Sequence, residues 1–313
     1  MPPRKIIIDT DPGQDDAVAI LLALASPEEL EVLAVTAVAG NVRLDKTSRN
    51  ARVICELAGK SDVPVHEGCD RPMERVLVTA EHVHGASGLD GIELPEPTMP
   101  VADLHAVEAI IHHIRREPPG AVTLCPLGPL TNVATALTRA PDIAERLGGI
   151  VLMGGAYFEV GNVTPAAEFN IYVDPEAADI VMKSGVDITI LPLDTTHKAL
   201  ITRDWLDRID ALGTPVSKVV SAWLDFYERF DVEKYGGDGG PLHDPCVIAY
   251  VLRPELFSGR RINVEIECQS DLTRGMTVAD WWGVTDRAAN ALFIGGIDAE
   301  GFFDLLAERI ARL

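Results

Sequence analysis

The chain has 313 residues, of which 47% are hydrophobic and 24% charged, an ordinary composition for a globular protein. Its length permits two domains, but α/β proteins of this size often form one unit, and we expect a single domain over residues 1–313. The formal net charge of −21 repels polyanions, which argues against nucleic acid as a partner and favours neutral or cationic small molecules.

Five scattered cysteines form no Cys-x-x-Cys pair, a pattern typical of reduced thiols inside a cell. The first residues run directly into a strand-like segment, residues 6–8, without a secretory apolar region. The longest apolar run, residues 17–25, is shorter than the roughly 20 residues that span a bilayer. We therefore expect a cytoplasmic protein that has no membrane partner.

Short aliphatic runs alternate with longer helical patterns along the chain. Nearly continuous hydrophobic runs predict strands that are covered on both faces, at residues 5–9, 31–38, 63–66, 121–125, 150–153, 187–191 and 261–267. Amphipathic helices are predicted between them, at residues 16–25, 44–57, 102–116, 130–137 and 174–183. The repeated β-α-β order predicts an α/β fold with a doubly wound, mostly parallel open sheet.

Two stretches, residues 71–100 and 235–242, are predicted to be long surface loops, either lids over a site or plain connections. Polar and Gly-rich turns follow the predicted strands, at the edge where open parallel sheets bind ligands. The first strand leads into the acidic run at residues 9–16, and the second leads into Gly40 and Asn41. We expect the functional site at this edge.

Four carboxylates fall within eight residues, at Asp9, Asp11, Asp15 and Asp16. Helix capping explains one or two of them, because acidic side chains are favoured at helix N-termini. Four converging carboxylates repel one another unless a cation or shared protons relieve them. We favour a divalent cation site over capping alone, and oxygen-only ligands indicate Ca²⁺ or Mg²⁺.

A second candidate segment lies far along the chain, where His243 and Asp244 precede Pro245 and an apolar helical run. Asp followed by Pro is a common helix start, so a helix N-cap is the stronger interpretation of Asp244 taken alone. His243 differs in kind, because an imidazole can donate a proton near neutral pH.

Two further segments carry polar groups that suit a small molecule. Glu168 and Asn170 offer a carboxylate and an amide for sugar hydroxyls, with Phe169 between them, although an ordinary polar loop explains each residue taken singly. His82 and His84 lie in a Gly-rich stretch, where we expect substrate contact in preference to metal binding.

Taken together, these segments resemble a known family. Residues 9–17 closely resemble the signature of the inosine–uridine-preferring nucleoside hydrolases. The likeness continues in order through nearly the whole chain, at residues 40–41, 84–85, 128–132, 153–155, 168–170 and 242–245. Residues 165–176 and 243–246 are most similar to the bacterial branch that prefers pyrimidine ribonucleosides.

The resemblance implies a Rossmann-like fold and hydrolysis of the N-glycosidic bond of ribonucleosides to free base and ribose, with uridine and cytidine preferred and inosine as a further candidate. It implies that Ca²⁺ is held by Asp11, Asp16, Asp244 and the main-chain carbonyl of Leu127. A water on the ion, deprotonated by Asp11 as general base, would attack C1′. A homotetramer or dimer is implied as well.

The resemblance also implies which groups meet the substrate. His243 is our candidate for protonating the leaving base, and His84 would assist it or contact the base. The implied ribose contacts are hydrogen bonds from Asp15, Asn41, Asn162, Glu168 and Asn170, and pocket walls from Met153 and Phe169.

Alternatives stay open at this point. One is a nucleoside hydrolase of broad purine and pyrimidine specificity. Another is a Mg²⁺-dependent phosphotransferase of the haloacid-dehalogenase kind, whose Asp-x-Asp strand end is similar, although Pro12 and the early Asp15 depart from its pattern. A third is a non-catalytic ribose- or calcium-binding protein. A cluster of aromatic residues is expected to pack a helix face in preference to contacting a base: Phe226, Tyr227, Phe230 and Tyr235.

Overall fold

The computed structural model describes residues 2–235 and 239–313. Residues 236–238 of the predicted loop, and the side chain of Tyr235, lie outside the described residues. The strands are β1 (Arg4–Thr10), β2 (Leu30–Ala37), β3 (Val65–Glu67), β4 (Val122–Pro126), β5 (Gly149–Met153), β6 (Ile188–Leu191), β7 (Phe257–Ile262), β8 (Val264–Ile266), β9 (Thr277–Ala279) and β10 (Ala291–Ile297).

Within the described residues, eight strands form one sheet in the order β3-β2-β1-β4-β5-β6-β10-β7. Neighbouring strands run parallel except β10 and β7, which pair antiparallel, and β8 and β9 form a separate antiparallel pair. The chain moves outward from β1 to β3 on one side and from β4 to β6 on the other. A crevice therefore opens at the carboxyl ends of β1 and β4. The predicted α/β fold with a mostly parallel open sheet is confirmed.

Helices connect and cover these strands. They are α1 (Gln14–Leu24), α2 (Leu44–Leu57), α3 (Glu81–His84), α4 (Ala106–Arg116), α5 (Thr131–Arg139), α6 (Phe169–Val173), α7 (Pro175–Met182), α8 (Leu193–Thr196), α9 (Arg203–Asp210), α10 (Pro215–Tyr235), α11 (Pro245–Leu252) and α12 (Ala299–Ile310). In the part of the chain that the structure describes, no helix combines the length and apolar character needed to cross a membrane.

The sheet has a hydrophobic core on each face. Ile6 and Ile8 point into one core, which α1 and α11 share, whereas Ile7 points into the other, which α4, α5 and α7 share. This alternation explains why β1 is apolar throughout. Every residue of α1 is buried, so the expectation of an amphipathic helix is wrong for this element: it is a core helix.

The predicted strand at residues 261–267 is not one strand. It divides at Asn263, because Ile262 pairs with Ala291 in the main sheet whereas Val264 pairs with Ala279 in the small one. The patterns above also do not predict β9 or β10. The predicted loop at residues 71–100 is confirmed apart from the single-turn helix α3, which carries the two histidines.

Candidate active site

A pocket with about 700 Å³ of empty space, including its open mouth, lies at the carboxyl ends of the parallel strands. All eight residues expected to meet the substrate line it together: Asp15, Asn41, His84, Met153, Asn162, Glu168, Phe169 and Asn170. Leu127, His243 and Asp244 line it as well.

Asp11 lies at the end of β1, 1% exposed. Its Oδ2 accepts a hydrogen bond from the backbone N–H of Asn41 at 2.6 Å, whereas its Oδ1 has no hydrogen-bond partner among the described residues. Two glycines make room for this carboxylate: a Cβ on Gly40 or on Gly128 would lie 2.1 Å from one of its oxygens. The site therefore depends on Gly at both positions.

Three further carboxylates converge beside it. Oxygens of Asp15, Asp16 and Asp244 lie within 4.8 Å of one another, and all three side chains are buried. Asp15 and Asp16 enter through the first turn of α1, and Asp244 enters immediately before α11. Helices α1 and α11 pack against each other, which brings these distant parts of the sequence together.

Capping explains only part of this cluster. Asp16 accepts a hydrogen bond from the N–H of Gly13 at 3.0 Å and another from the Thr10 hydroxyl, so it caps α1. Asp244 occupies the predicted N-cap position of α11, with Pro245 after it, but its side chain accepts no capping hydrogen bond, so capping does not account for its carboxylate. Asp15 Oδ1 has no hydrogen-bond partner in the described part of the chain.

The surroundings of these carboxyl groups raise their pKa values. Burial, followed by the Asp16 carboxylate, raises the pKa of Asp11 well above its ordinary value and that of Asp15 to about 8. Burial and the Asp15 carboxylate likewise raise the pKa of Asp244. Buried charges of one sign are costly unless a counter-charge is present. Unpartnered oxygen ligands in an acidic, glycine-walled cradle fit a hard divalent cation.

Asp9 has a different environment. It is fully buried beneath the pocket, where its Oδ1 accepts hydrogen bonds from Thr36 at 2.6 Å and from Asn132 Nδ2 at 2.8 Å. Asn132 also donates to the carbonyl of Ala37 and accepts from the N–H of Cys69. This network fastens the ends of β1 and β2 together below the site.

One wall of the pocket is built by α6. Glu168 caps this helix, accepting hydrogen bonds from the N–H groups of Asn170 at 2.9 Å and Ile171 at 3.2 Å, and it also accepts one from Gly155 at 2.9 Å. Its carboxylate therefore has a structural role as well as a place on the pocket wall. Asn170 Nδ2 donates to the carbonyl of Leu127 at 2.6 Å, which leaves that oxygen one further lone pair.

His243 and His84 face the pocket from two sides. His243 Nδ1 lies 2.7 Å from the hydroxyl of Thr196, and burial with the nearby His197 lowers the pKa of its ring well below the ordinary value. Burial also lowers the pKa of His84 to about 3. The His84 ring stacks on Tyr227, with 5.6 Å between ring centroids.

The aromatic residues of α10 divide into two groups. Tyr227 and Phe230 line the pocket, and Phe230 lies edge-on against His82, which lines it too. Phe226 instead packs over Gly91, away from the pocket. Helix-face packing is thus an incomplete interpretation for Tyr227 and Phe230. Their spacing of three residues, which places both on one side of a helix, is the signal that could have identified them.

Comparisons with known proteins agree on one family. The family model for the inosine-uridine preferring nucleoside hydrolases matches residues 6–304. The chain is 49% identical over 310 residues to the pyrimidine-specific ribonucleoside hydrolase RihA of Photobacterium profundum, which covers 99% of both chains. Among solved structures, it is similar to a plant nucleoside hydrolase, with a TM-score of 0.93, 36% identity and 99% coverage of both chains.

A second solved structure, the purine-preferring ribonucleoside hydrolase from Gardnerella vaginalis, gives a TM-score of 0.92 at 33% identity and covers 98% of both chains. These findings confirm the resemblance read from the motifs and replace the phosphotransferase and the non-catalytic binding protein as interpretations. The family is metal-dependent, in agreement with the acidic cluster. The chain therefore belongs to the inosine-uridine-preferring nucleoside hydrolase family and is an N-glycosidase that hydrolyses ribonucleosides.

Proposed function

We propose that this enzyme prefers the pyrimidine ribonucleosides uridine and cytidine, that its metal is Ca²⁺, and that Asp11 is its general base. One observation carries the mechanism: Asp11 and Asp15 each hold a buried carboxylate oxygen without a partner among the described residues, and Asp15 lines the pocket. Support for the base preference comes from the relative at 49% identity, whose name states pyrimidine specificity.

The residues that would hold Ca²⁺ are Asp11, Asp16, Asp244 and the Leu127 carbonyl. When bound, the ion would supply positive charge that orients the ribose hydroxyls and makes water more acidic. An all-oxygen ligand set of this kind favours Ca²⁺ over zinc. The cluster of Asp15, Asp16 and Asp244 supports the proposal, although it includes Asp15, to which we assign a ribose hydroxyl.

Each of these protein groups would have its own role in the reaction. Asp11 Oδ1 would take a proton from the water that attacks C1′, while the Asn41 N–H holds the other oxygen of the same carboxylate. Cleavage builds positive charge on the ribosyl ring, which the buried carboxylates stabilise. Ribose hydroxyls would be held by Asp15, Asn41, Asn162, Glu168 and Asn170, against walls formed by Met153 and Phe169.

His243 is proposed as the proton donor to the leaving base. Its position supports this role, because it lines the pocket next to Asp244. Burial and the nearby His197 lower the pKa of its ring, which disfavours the protonated form that a general acid needs. Substrate binding must therefore raise this pKa before the ring can act as a general acid.

Reducing-sugar release from uridine, cytidine, inosine and adenosine, with and without chelator, tests the proposal. We expect uridine and cytidine to give the highest kcat/KM, and chelation to abolish turnover until Ca²⁺ is restored. Equal rates on purine and pyrimidine nucleosides would instead support the broad-specificity alternative. Recovery with Mg²⁺ but not Ca²⁺ would contradict the choice of ion. A carboxylate-lined pocket should also reject nucleotides, so release of ribose phosphate from uridine monophosphate would contradict the binding scheme.

We also propose that the enzyme works in the cytoplasm as a homotetramer or dimer. The assembly is supported by apolar side chains that the single chain leaves exposed, namely Phe158, Val160, Trp282 and Val284. Light scattering coupled to size-exclusion chromatography would measure the assembly, and a monomer at micromolar concentration would contradict it.

A further inference from the structure

Gln14 lies inside the acidic motif, yet neither the metal nor the ribose contacts use it. It is the first residue of α1, and its side chain is fully buried. That side chain points to His84, from a different part of the chain: Gln14 Oε1 lies 2.7 Å from His84 Nδ1. Whether the hydrogen of this contact belongs to His84 Nδ1 or to the Gln14 amide depends on the tautomer of the ring and on the orientation of the amide.

The hydrogen bonds of the Gln14 amide fix its orientation. Its Nε2 donates two hydrogen bonds, to the backbone carbonyls of His84 and Asp90, each at 3.0 Å. Rotating the amide by half a turn would set its oxygen against two carbonyl oxygens and its N–H groups against the ring. Carbonyls only accept hydrogen bonds, so they fix the nitrogen on their side and the oxygen towards His84 Nδ1.

The two carbonyls are themselves held in place. The Asp90 carboxylate accepts hydrogen bonds from the N–H groups of Ala86 and Ser87, both at 3.1 Å, which closes the turn after α3. Asn50 Nδ2 bridges the same turn to the first motif, donating to the carbonyls of Pro12 at 3.0 Å and Ser87 at 2.9 Å. The turn at residues 84–90 therefore presents its carbonyls to Gln14 as a fixed pair.

An acceptor at 2.7 Å requires a hydrogen on His84 Nδ1. Burial lowers the pKa of this ring to about 3, so the neutral imidazole carries a single N–H and its other nitrogen, Nε2, has a free lone pair. Gly13 keeps the ring close, because a Cβ there would lie 2.4 Å from Nδ1. Tyr227 stacks on its face.

We propose that Gln14 is a positioning residue that holds His84 in its Nδ1–H tautomer, so that Nε2 meets the nucleoside as a hydrogen-bond acceptor. His84 then recognises an N–H or O–H group of the substrate and does not protonate the leaving base, a task that stays with His243. This inference rests on the proposed function for the identity of the ligand, whereas the tautomer itself does not depend on it.

Two groups of a pyrimidine nucleoside share the required chemistry. One is the ribose 5′-hydroxyl, and the other is the N–H donor on the base edge, at N3 of uridine or N4 of cytidine. Each can donate to an unprotonated ring nitrogen, and each can be removed singly from uridine, as 5′-deoxyuridine or 3-methyluridine.

The tautomer can be measured without turnover. Long-range ¹H–¹⁵N correlation spectra of histidine-labelled enzyme report which ring nitrogen is protonated, and loss of one ring system in His84→Phe assigns the signals. We expect Nδ1–H in the wild type. A protonated Nε2 at neutral pH would overturn the proposal. In Gln14→Met, which lacks the amide, we expect the Nε2–H form to become populated, and an unchanged Nδ1–H signal would remove Gln14 from the mechanism.

The acceptor role is tested by a double-mutant-type cycle, in which the His84 ring and one substrate donor group are removed singly and together. We expect wild-type kcat/KM to fall by about tenfold for one of the two uridine analogues, as for a lost hydrogen bond. In His84→Phe, that analogue and uridine should react equally, because the partner is already absent. His112→Phe, an exposed histidine, is the matched control and should keep the wild-type penalty.

Penalties that stay the same in His84→Phe for both analogues would overturn the acceptor role. If the wild type does not hydrolyse uridine, the pyrimidine assignment fails separately, and the spectra still decide the tautomer. If Gln14→Met does not fold, the wild-type spectrum remains the test.

Discussion

The floor and the roof of the pocket are built in different ways. The floor consists of Asp11, Asp15, Asp16 and Asp244, all at most 4% exposed, at the end of β1 and the starts of two core helices. The roof consists of His82, His84, Tyr227 and Phe230, from the single-turn helix α3 and from α10. The floor offers carboxylates, whereas the roof offers imidazole and aromatic rings, of which Tyr227 also packs in the hydrophobic core. We therefore expect substitutions in the floor to change bond cleavage on all nucleosides, and substitutions in the roof to change base choice.

The sharpest test of the floor is Asp11→Asn. Replacing the general base with a neutral amide should lower kcat by about 10²–10⁴-fold on every nucleoside alike. Asp45→Asn, which alters a largely exposed carboxylate, is the control and should leave kcat unchanged. A loss confined to one base would break the division between floor and roof.

His243→Ala tests proton donation at the side of the pocket. We expect kcat to fall by about 10²–10⁴-fold on uridine, because its base leaves poorly without a proton, and much less on p-nitrophenyl riboside, whose leaving group needs none. Steady-state rates on the two substrates give the ratio. Equal losses on both would exclude His243 as the general acid.

Gly128→Ala tests how tightly the floor is fitted. The new Cβ would lie 2.1 Å from Asp11 Oδ1, so the carboxylate must move, and we expect kcat to fall by about 10–100-fold, since small displacements at a reacting group are costly. Gly295→Ala is the matched control, because the nearest atom to its Cβ would lie 3.6 Å away. Similar activities of the two variants would show that the floor tolerates displacement.

Phe230→Ala tests the roof. Removing this half-buried ring should change the ratio of kcat/KM for uridine over inosine by about 5- to 10-fold, since a lost apolar contact is worth at least about 1 kcal/mol. Turnover of p-nitrophenyl riboside should change less. An unaltered base ratio would assign base choice to other residues.

The smallest expected effect concerns stability in chelator. The pKa of Asp9 is raised to about 7 and that of Asp15 to about 8, so the folded chain holds protons that the unfolded chain has already lost near pH 4. The melting temperature of the protein in chelator should therefore fall as pH rises from about 4 to 8, the interval between the unfolded and the folded pKa values. Added Ca²⁺ should flatten this slope, because the ion favours the charged carboxylates. If the melting temperature depends on pH in the same way with and without Ca²⁺, the carboxylates of the floor do not bind the ion.

Local patterns predicted most of the sheet and the floor. Aliphatic runs located β1 to β6, and the acidic motif identified Asp11, Asp15 and Asp16. The break at Asn263 was not predictable, since strand pairing is decided by distant partners, not by the run itself. Family likeness, and not local pattern, linked Asp244 to the motif, because its residue type and position equally suit a helix cap. Contacts across the chain, such as Gln14 with His84, leave no periodic signal.

The floor joins residues that are far apart in the sequence, since Asp16 and Asp244 are separated by strands β2 to β6 of the main sheet. A cation seated there would act as a reversible cross-link that only the folded chain can form, and it would stabilise that chain by binding to it in preference to the unfolded ensemble. Its capture would also come late in folding, because contacts so distant in sequence form slowly. The rate at which refolding chains acquire the ion should thus report the completion of the central sheet, not the formation of the first strand and helix.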